Sequence, residues 1–289
     1  MSQKSPQSKP LFMKYCAIFL LTILFSCGKS ETRIEGERMG MAYKVIFREK
    51  VSKASVEKLI DTIFYEIDTK LNRWNKDSEL AKWNSNTSIK PIPASFLFVD
   101  LARRANLAYQ LTHGLYDPSL GSVIHAWKMS LRLGSILTPA EVNSYKKCSG
   151  WKKVIIHEEA IEKLHPNLEL DFDGILKGYF CDLLSEELKK TGYNNFLVEW
   201  AGEIKVTGGP FNILAGKEIL SLTNQSIATS GPTYQLYPIL KDGKTIFYSH
   251  FVNPKTLQAL TFEDPTLSKS IVHPSALYAD ALATAAVIK

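Results

Sequence analysis

Cysteine is scarce here and follows no motif: Cys16, Cys27, Cys148 and Cys181 include no C-x-x-C pair, which removes zinc ribbons and dithiol oxidoreductases. Neither sign of charge dominates. The formal net charge is +6, and the basic residues alternate with acidic ones without forming an arm or stripe, so no nucleic acid partner is expected. No apolar run is long enough to span a bilayer: residues 15–25, at about 1.5 Å each, fall well short of a hydrocarbon core of roughly 30 Å. There is no Walker loop, no dinucleotide G-x-G-x-x-G, no internal repeat and no low-complexity stretch.

The amino terminus carries a targeting pattern instead. Lys4, Lys9 and Lys14 precede the apolar run at 15–25, as the basic and apolar regions of a secretory signal do; a start at Met13 would leave that pattern complete. The run ends in LFSCG at residues 24–28, which resembles a bacterial lipobox. The expected division is a lipoprotein signal peptide at 1–26, with Cys27 as the lipid-carrying first residue, a polar tether at 27–35 and one domain at 36–289. An ordinary signal peptide with an incidental Cys27 fits the same residues. Loss of residues 1–26 removes three lysines and no acid, taking the charge from +6 to +3. Cys148 and Cys181 lie 33 positions apart and suit a disulfide or two free thiols equally.

Hydrophobic periodicity gives the coarse architecture. Residues 43–47 predict a strand, and Val56, Leu59, Ile60, Ile63, Phe64, Ile67 and Leu71 recur at helical spacing. A second helix is expected over 95–113, stopped at Gly114. Thr138, Pro139 and Glu141 form a capping box with proline at the first helical position. Strands are expected at 151–156 and around 168–172, a helix over 174–190 ending at Gly192, and a hairpin-like pair at 196–200 and 204–207. A final helix is expected over 275–288. This order predicts an α+β fold with mixed sheets and flanking helices.

Three segments carry chemistry. Asp280 and Thr284, four apart on the last helix, place a carboxylate and a hydroxyl on one face, hard oxygen donors suited to Mg²⁺; a dipole-favoured Asp and a packed Thr would look the same. Residues 171–179, DFDGILKGY, place acids before a helix that opens with Gly174 and carries Lys177 and Gly178. Such a turn lets backbone approach a phosphate, though it is also an ordinary strand-to-helix connection. His250 sits at a strand end beside the turn Asn253-Pro254-Lys255-Thr256, as a general base or a structural hydrogen-bonder.

Taken in order, these segments resemble one family. GERMGMAY at residues 36–43 is similar to G-x-x-M-G-T-x-Y, and LYDPSLG at 115–121, followed by Trp127, to FD-x-T-x-G…W. Residues 171–179 resemble D-L-G-G-I-A-K-G-Y, 201–203 stand where G-G-D is expected, and 228–231 match A-T-S-G. Residues 248–256 resemble Y-S-H-I-x-D-P-x-T, and 279–284 match A-D-A-L-x-T. This is the pattern of the FAD:protein FMN transferase (ApbE) family, and it runs through nearly the whole chain after the signal.

The resemblance implies a T-shaped ApbE-like architecture and a periplasmic-side, lipid-anchored flavoprotein enzyme, a transferase of phosphorus-containing groups. Met39, Trp74, Leu115, Tyr116, Asp117, Asp171 and Lys177 would line the FAD site, with Phe251 or Val252 beside His250. The Gly174 carbonyl and the side chains of Asp280 and Thr284 would hold Mg²⁺. FAD would be the substrate, and its FMN half would pass to a Thr or Ser hydroxyl of a redox membrane protein, releasing AMP. His250 or Asp280 would take the hydroxyl proton. A hydrolase giving FMN and AMP, or a silent FAD-binding lipoprotein, would share these residues. The departures are Met41 for the threonine of M-G-T, Ala201-Gly202-Glu203 for G-G-D, Asn253 for aspartate and Leu257 for glycine. The last residue, Lys289, comes soon after Thr284, where the family pattern continues; a missing final strand is the expectation that this raises.

Overall fold

The computed structural model describes residues 31–289 apart from Tyr234. The signal peptide expected at 1–26 and the expected lipidation site Cys27 therefore lie outside the described residues. The tether expected at 27–35 does not hold through its end. Thr32–Arg38 is a strand (β1), paired along its length with β2, Met41–Phe47, with Ile34 buried in the main core.

A six-stranded sheet forms the middle layer. Its order is β1, β2, β6 (Phe196–Trp200), β7 (Glu203–Thr207), β10 (Ser226–Ser230) and β14 (Lys269–His273). The smaller sheets are β3 (Ile92–Pro93), β5 (Ala160–Lys163) and β4 (Val154–Ile156); the hairpin β8 (Phe211–Ala215) and β9 (Glu218–Leu222); and β11 (Leu236–Lys241), β12 (Lys244–Val252) and β13 (Ala259–Thr261). The helices are α1 (Lys53–Lys70), α2 (Glu79–Ser85), α3 (Phe96–Leu111), α4 (Gly121–Arg132), α5 (Pro139–Tyr145), α6 (Asp173–Lys190) and α7 (Ala276–Ile288). The α+β class read from the sequence holds. Every strand pairing among the described residues is antiparallel, which refines the expectation of mixed sheets.

Most elements match the periodicity that predicted them, and the capping box at Thr138 and Glu141 is formed. Two expectations fail. Residues 168–172 form no strand; the amide of Leu170 donates to the Asn84 side chain and its carbonyl accepts from the same side chain, so a side-chain amide replaces a strand partner. Trp151–Lys153 is a short 3₁₀ turn, and only Val154–Ile156 is strand.

The main core lies between one face of the sheet and helices α1, α3, α6 and α7. Phe64 and Phe180 stack at 4.1 Å, and Trp200 meets both edge-on at 5.1 Å. A second core joins α4 to β11–β13 through Val123, Trp127, Ile239 and Val252. A third, with Ile46, Leu197, Val206 and Phe211, fills the space under the β8–β9 hairpin. Cys148 and Cys181 are free and buried. No helix among the described residues is long and apolar enough to cross a membrane.

Candidate active site

The site is built where α6 crosses α7. Gly178 makes the crossing possible: a Cβ there would lie 2.3 Å from the carbonyl oxygen of Ala276, closer than any side chain tolerates. The backbones can then touch, and the Gly178 amide donates to the Asp280 carboxylate at 3.3 Å. One turn earlier on α6, the Cβ position of Gly174 lies 3.4 Å from Thr284 Oγ1 and 3.2 Å from the Tyr116 ring. Thr284 also meets Ser230 Oγ at 3.3 Å. The predicted donors Gly174, Asp280 and Thr284 thus share one crossing, with both side-chain oxygens turned to the glycine turn.

Lys177 lies between two buried acids, 3.6 Å from Asp280 and 3.5 Å from Glu203. Burial opposes its charge, but Asp280, Glu203 and Asp173 outweigh burial and raise its pKa. One cation does not satisfy two such acids. Asp280 is 1% exposed, and burial lifts its carboxyl to about 6 against the pull of Lys177. Glu203 is raised by burial too, and its Oε2 has no partner. A buried acid that is short of positive charge fits a divalent cation. Among the described residues no group of three or more His, Cys, Asp or Glu side chains could hold a metal. One carboxylate, one hydroxyl and one carbonyl could form a donor set of another kind, one that would suit a cation such as Mg²⁺, which takes further oxygens from water and phosphate.

The rim before α6 is a second charged layer. Asp171 accepts from the Asp173 amide at 2.8 Å and from Arg73. Burial would raise the Asp171 carboxyl, but Arg73 and then Lys128 hold it below the usual range. Asp173 rises to about 6 through burial and the charge of Asp171. The Trp74 indole N–H donates to Asp173 at 3.1 Å, and Arg73 and Lys128 each lie 5.3 Å from the Trp74 ring. That ring is 53% exposed although its edge is anchored, which leaves a flat face for an aromatic ligand.

His250 lies on β12 where the pairing with β13 shifts between Tyr248 and Val252, an irregularity of the kind that re-aims a side chain. Burial, then Lys128, lowers its pKa to about 4, and it also feels Lys177 and Asp171. The imidazole is neutral at pH 7, and its Nδ1 is buried without a partner. Phe251 packs against the His250 ring at 4.2 Å, whereas Val252 joins the second core.

The other predicted residues are placed as follows. Tyr116 is buried with an unpartnered hydroxyl and feels Asp171 and Asp280. Asp117 caps the 3₁₀ turn Pro118–Leu120 through the Ser119 amide and hydroxyl and also accepts from the Trp151 backbone. Leu115 is half-buried in the turn that follows α3. Met39 sits at φ 54 in the β1–β2 turn, half-buried against the main core. Sequence reasoning missed Arg73, Lys128 and Asp173 and gave Glu203 no role. Asp173 stands inside the segment 171–179 already singled out and Arg73 is next to Trp74; Lys128 is only the residue after Trp127, and no pattern marks it.

Comparison with known proteins identifies the family. The model of the ApbE family matches residues 39–289. An FAD:protein FMN transferase of Chlamydia pneumoniae is 33% identical over 285 residues, spanning 94% of this chain and 89% of the relative. One of Chlamydia trachomatis serovar D is 34% identical, spanning 95% and 90%. The apo flavinyl transferase ApbE of Pseudomonas stutzeri shares the fold with a TM-score of 0.80 at 23% identity, covering 90% of this chain and 84% of that one. With the family model matched over residues 39–289 and relatives a third identical along nearly the whole chain, the chain belongs to the ApbE family.

Proposed function

We propose that this enzyme transfers the FMN half of FAD to a Thr or Ser hydroxyl of an acceptor protein, with Mg²⁺ bound, and releases AMP. The observation that carries the reading is the α6–α7 crossing, which gathers Asp280, Thr284 and the Gly174 turn around Lys177 in a chain whose relatives are named FAD:protein FMN transferase.

Mg²⁺ held by Asp280, Thr284 and the Gly174 carbonyl would neutralise charge on the FAD diphosphate. The exposed face of Trp74 offers a platform for one of the aromatic rings of FAD. Lys177 and Lys128 add positive charge beside the phosphates. The acceptor oxygen attacks the phosphorus on the riboflavin side, the bond from that phosphorus to the bridging oxygen breaks, and AMP leaves with that oxygen. His250 is neutral, with a free Nδ1, and would take the hydroxyl proton. Its low pKa suits this task only when an anionic substrate sits beside it, because negative charge raises the basicity of the imidazole. Asp280 is the rival base, and serving as a metal ligand would tie up its lone pairs.

By the same reading, Cys27 carries lipid and anchors the enzyme on the periplasmic side of the cell envelope, next to a redox membrane protein as acceptor. Retention in the membrane fraction should then disappear on Cys27→Ser.

The direct experiment incubates the protein with FAD and Mg²⁺, with and without a Thr-containing acceptor peptide. The expected result is a peptide heavier by one FMN less one water, with one free AMP released per modified peptide. Free FMN without peptide modification would favour the hydrolase. FAD binding without any turnover would overturn both.

A further inference from the structure

Three contacts step down α6 and up α7 in fours. Gly174 faces Thr284 and Gly178 faces Asp280; Asp182 faces the first residues of α7. The first two bring the oxygen donors to the glycine turn. The third touches no donor and lies two turns away from Gly174.

Asp182 belongs to α6 but caps α7. Its carboxylate accepts from Ser275 Oγ at 2.6 Å and from the amides of Ala276 and Leu277 at 3.0 Å each. The first amides of a helix have no partner within it, and Ser275 caps the amide of Tyr278 in turn. Lys205 of β7 closes the arrangement, 3.2 Å from Asp182 and donating to the carbonyl of Pro274. Asp182 is 5% exposed, so the clamp is dry and its charged hydrogen bonds are strong.

Antiparallel helices packed on small side chains have little to fix their sliding. At the crossing itself Gly174, Gly178 and Ala276 present few knobs, so directional polar contacts set the register. We infer that Asp182, held by Lys205, is a positioning residue that fixes α7 along α6 so that Asp280 and Thr284 meet the glycine turn as a divalent-cation site. This inference rests on the metal reading above. Asp182 itself touches neither substrate nor metal.

The test uses the full chain and the variants Asp182→Asn and Asp182→Ala, with Mn²⁺ binding to the FAD-free protein followed by electron paramagnetic resonance. Dissociation constants are compared for folded protein, with circular dichroism to set the folded fraction. Both variants should bind Mn²⁺ at least about tenfold more weakly, Ala more so than Asn, while turnover at saturating Mg²⁺ stays within about threefold. A role in stability alone would lower the melting temperature and leave the Mn²⁺ constant of the folded fraction unchanged; that result overturns the inference. Asp280→Ala serves as the control. If it binds Mn²⁺ as the parent does, the metal reading itself falls. A crystal structure of Asp182→Asn then still decides the clamp: α7 should be displaced along α6 and the Gly178–Asp280 contact lengthened, and an unchanged contact refutes it.

Discussion

The amide of Gly178 donates to the carboxylate of Asp280 across the α6–α7 crossing, joining two residues that lie 102 positions apart in sequence. That bond uses one oxygen of Asp280. Lys177 approaches that same oxygen at 3.6 Å, and the Thr284 hydroxyl lies at the start of α6, where Gly174 has no side chain to block it.

Gly178 should therefore be the least replaceable glycine in the site. A Cβ there meets backbone, 2.3 Å from the Ala276 carbonyl and 2.7 Å from the Leu277 amide, so no rotamer change can relieve it. Gly178→Ala should destabilise the fold by about 3 kcal/mol, the upper range for overpacking, and weaken Mg²⁺ use in whatever protein remains folded. Denaturant unfolding with and without Mg²⁺ checks both effects.

Thr284→Val keeps the shape of the side chain and removes one oxygen donor. The fold should hold within about 1 kcal/mol, since the hydroxyl makes a single contact, with Ser230 at 3.3 Å. The Mg²⁺ concentration for half-maximal turnover should rise by about tenfold to a hundredfold. A steady-state Mg²⁺ titration measures it, and an unchanged midpoint removes Thr284 from the donor set.

Proton competition should govern metal binding. Burial lifts the Asp280 carboxyl to about 6, above its ordinary value, so in the metal-free protein its ionisation costs stability as pH rises through that value. Mg²⁺ binds only the ionised form. The rise in melting temperature caused by Mg²⁺ should thus be small near pH 4 and grow as pH passes 6. His250 has the opposite sense: its pKa, lowered to about 4 by burial and then Lys128, means that stability is lost as pH falls from about 6.5 through 4. Calorimetric melts at several pH values, with and without Mg²⁺, separate the two, because only the first responds to the metal.

Two departures from the family pattern place side chains at positive φ, and they should behave differently. Ala201 stands at φ 52 in the β6–β7 turn and is exposed, so Ala201→Gly should stabilise the protein by about 1 kcal/mol by relieving left-handed strain. Leu257 stands at φ 58 but is 3% exposed within the second core. There the lost burial, about 2–3 kcal/mol, outweighs the relief, and Leu257→Gly should destabilise. Urea midpoints of the two variants should move in opposite directions.

How far the sequence could be read depended on the range of the interaction. The amphipathic helices α1 and α3, the capping box of α5 and the β6–β7 hairpin follow from neighbours a few residues apart, and all were legible. So were Asp280 and Thr284, one turn apart on α7. The segment 168–172 misled because its apolar alternation matches a strand, while the bonds it makes go to Asn84, which only the fold brings near. Lys128 and Asp182 were not legible. Each acts on residues distant in sequence, the one on Trp74, Asp171 and His250 and the other on the amino end of α7, and neither stands in a local pattern that marks it.

Paramagnetic relaxation reads directly whether a divalent ion sits on the FAD diphosphate through oxygens from α7. Phosphorus NMR of protein-bound FAD should show both diphosphate resonances strongly broadened by substoichiometric Mn²⁺ in the parent protein, and the broadening should vanish in Asp280→Ala that still binds FAD. Equal broadening in the two proteins, or none in the parent, would contradict that placement.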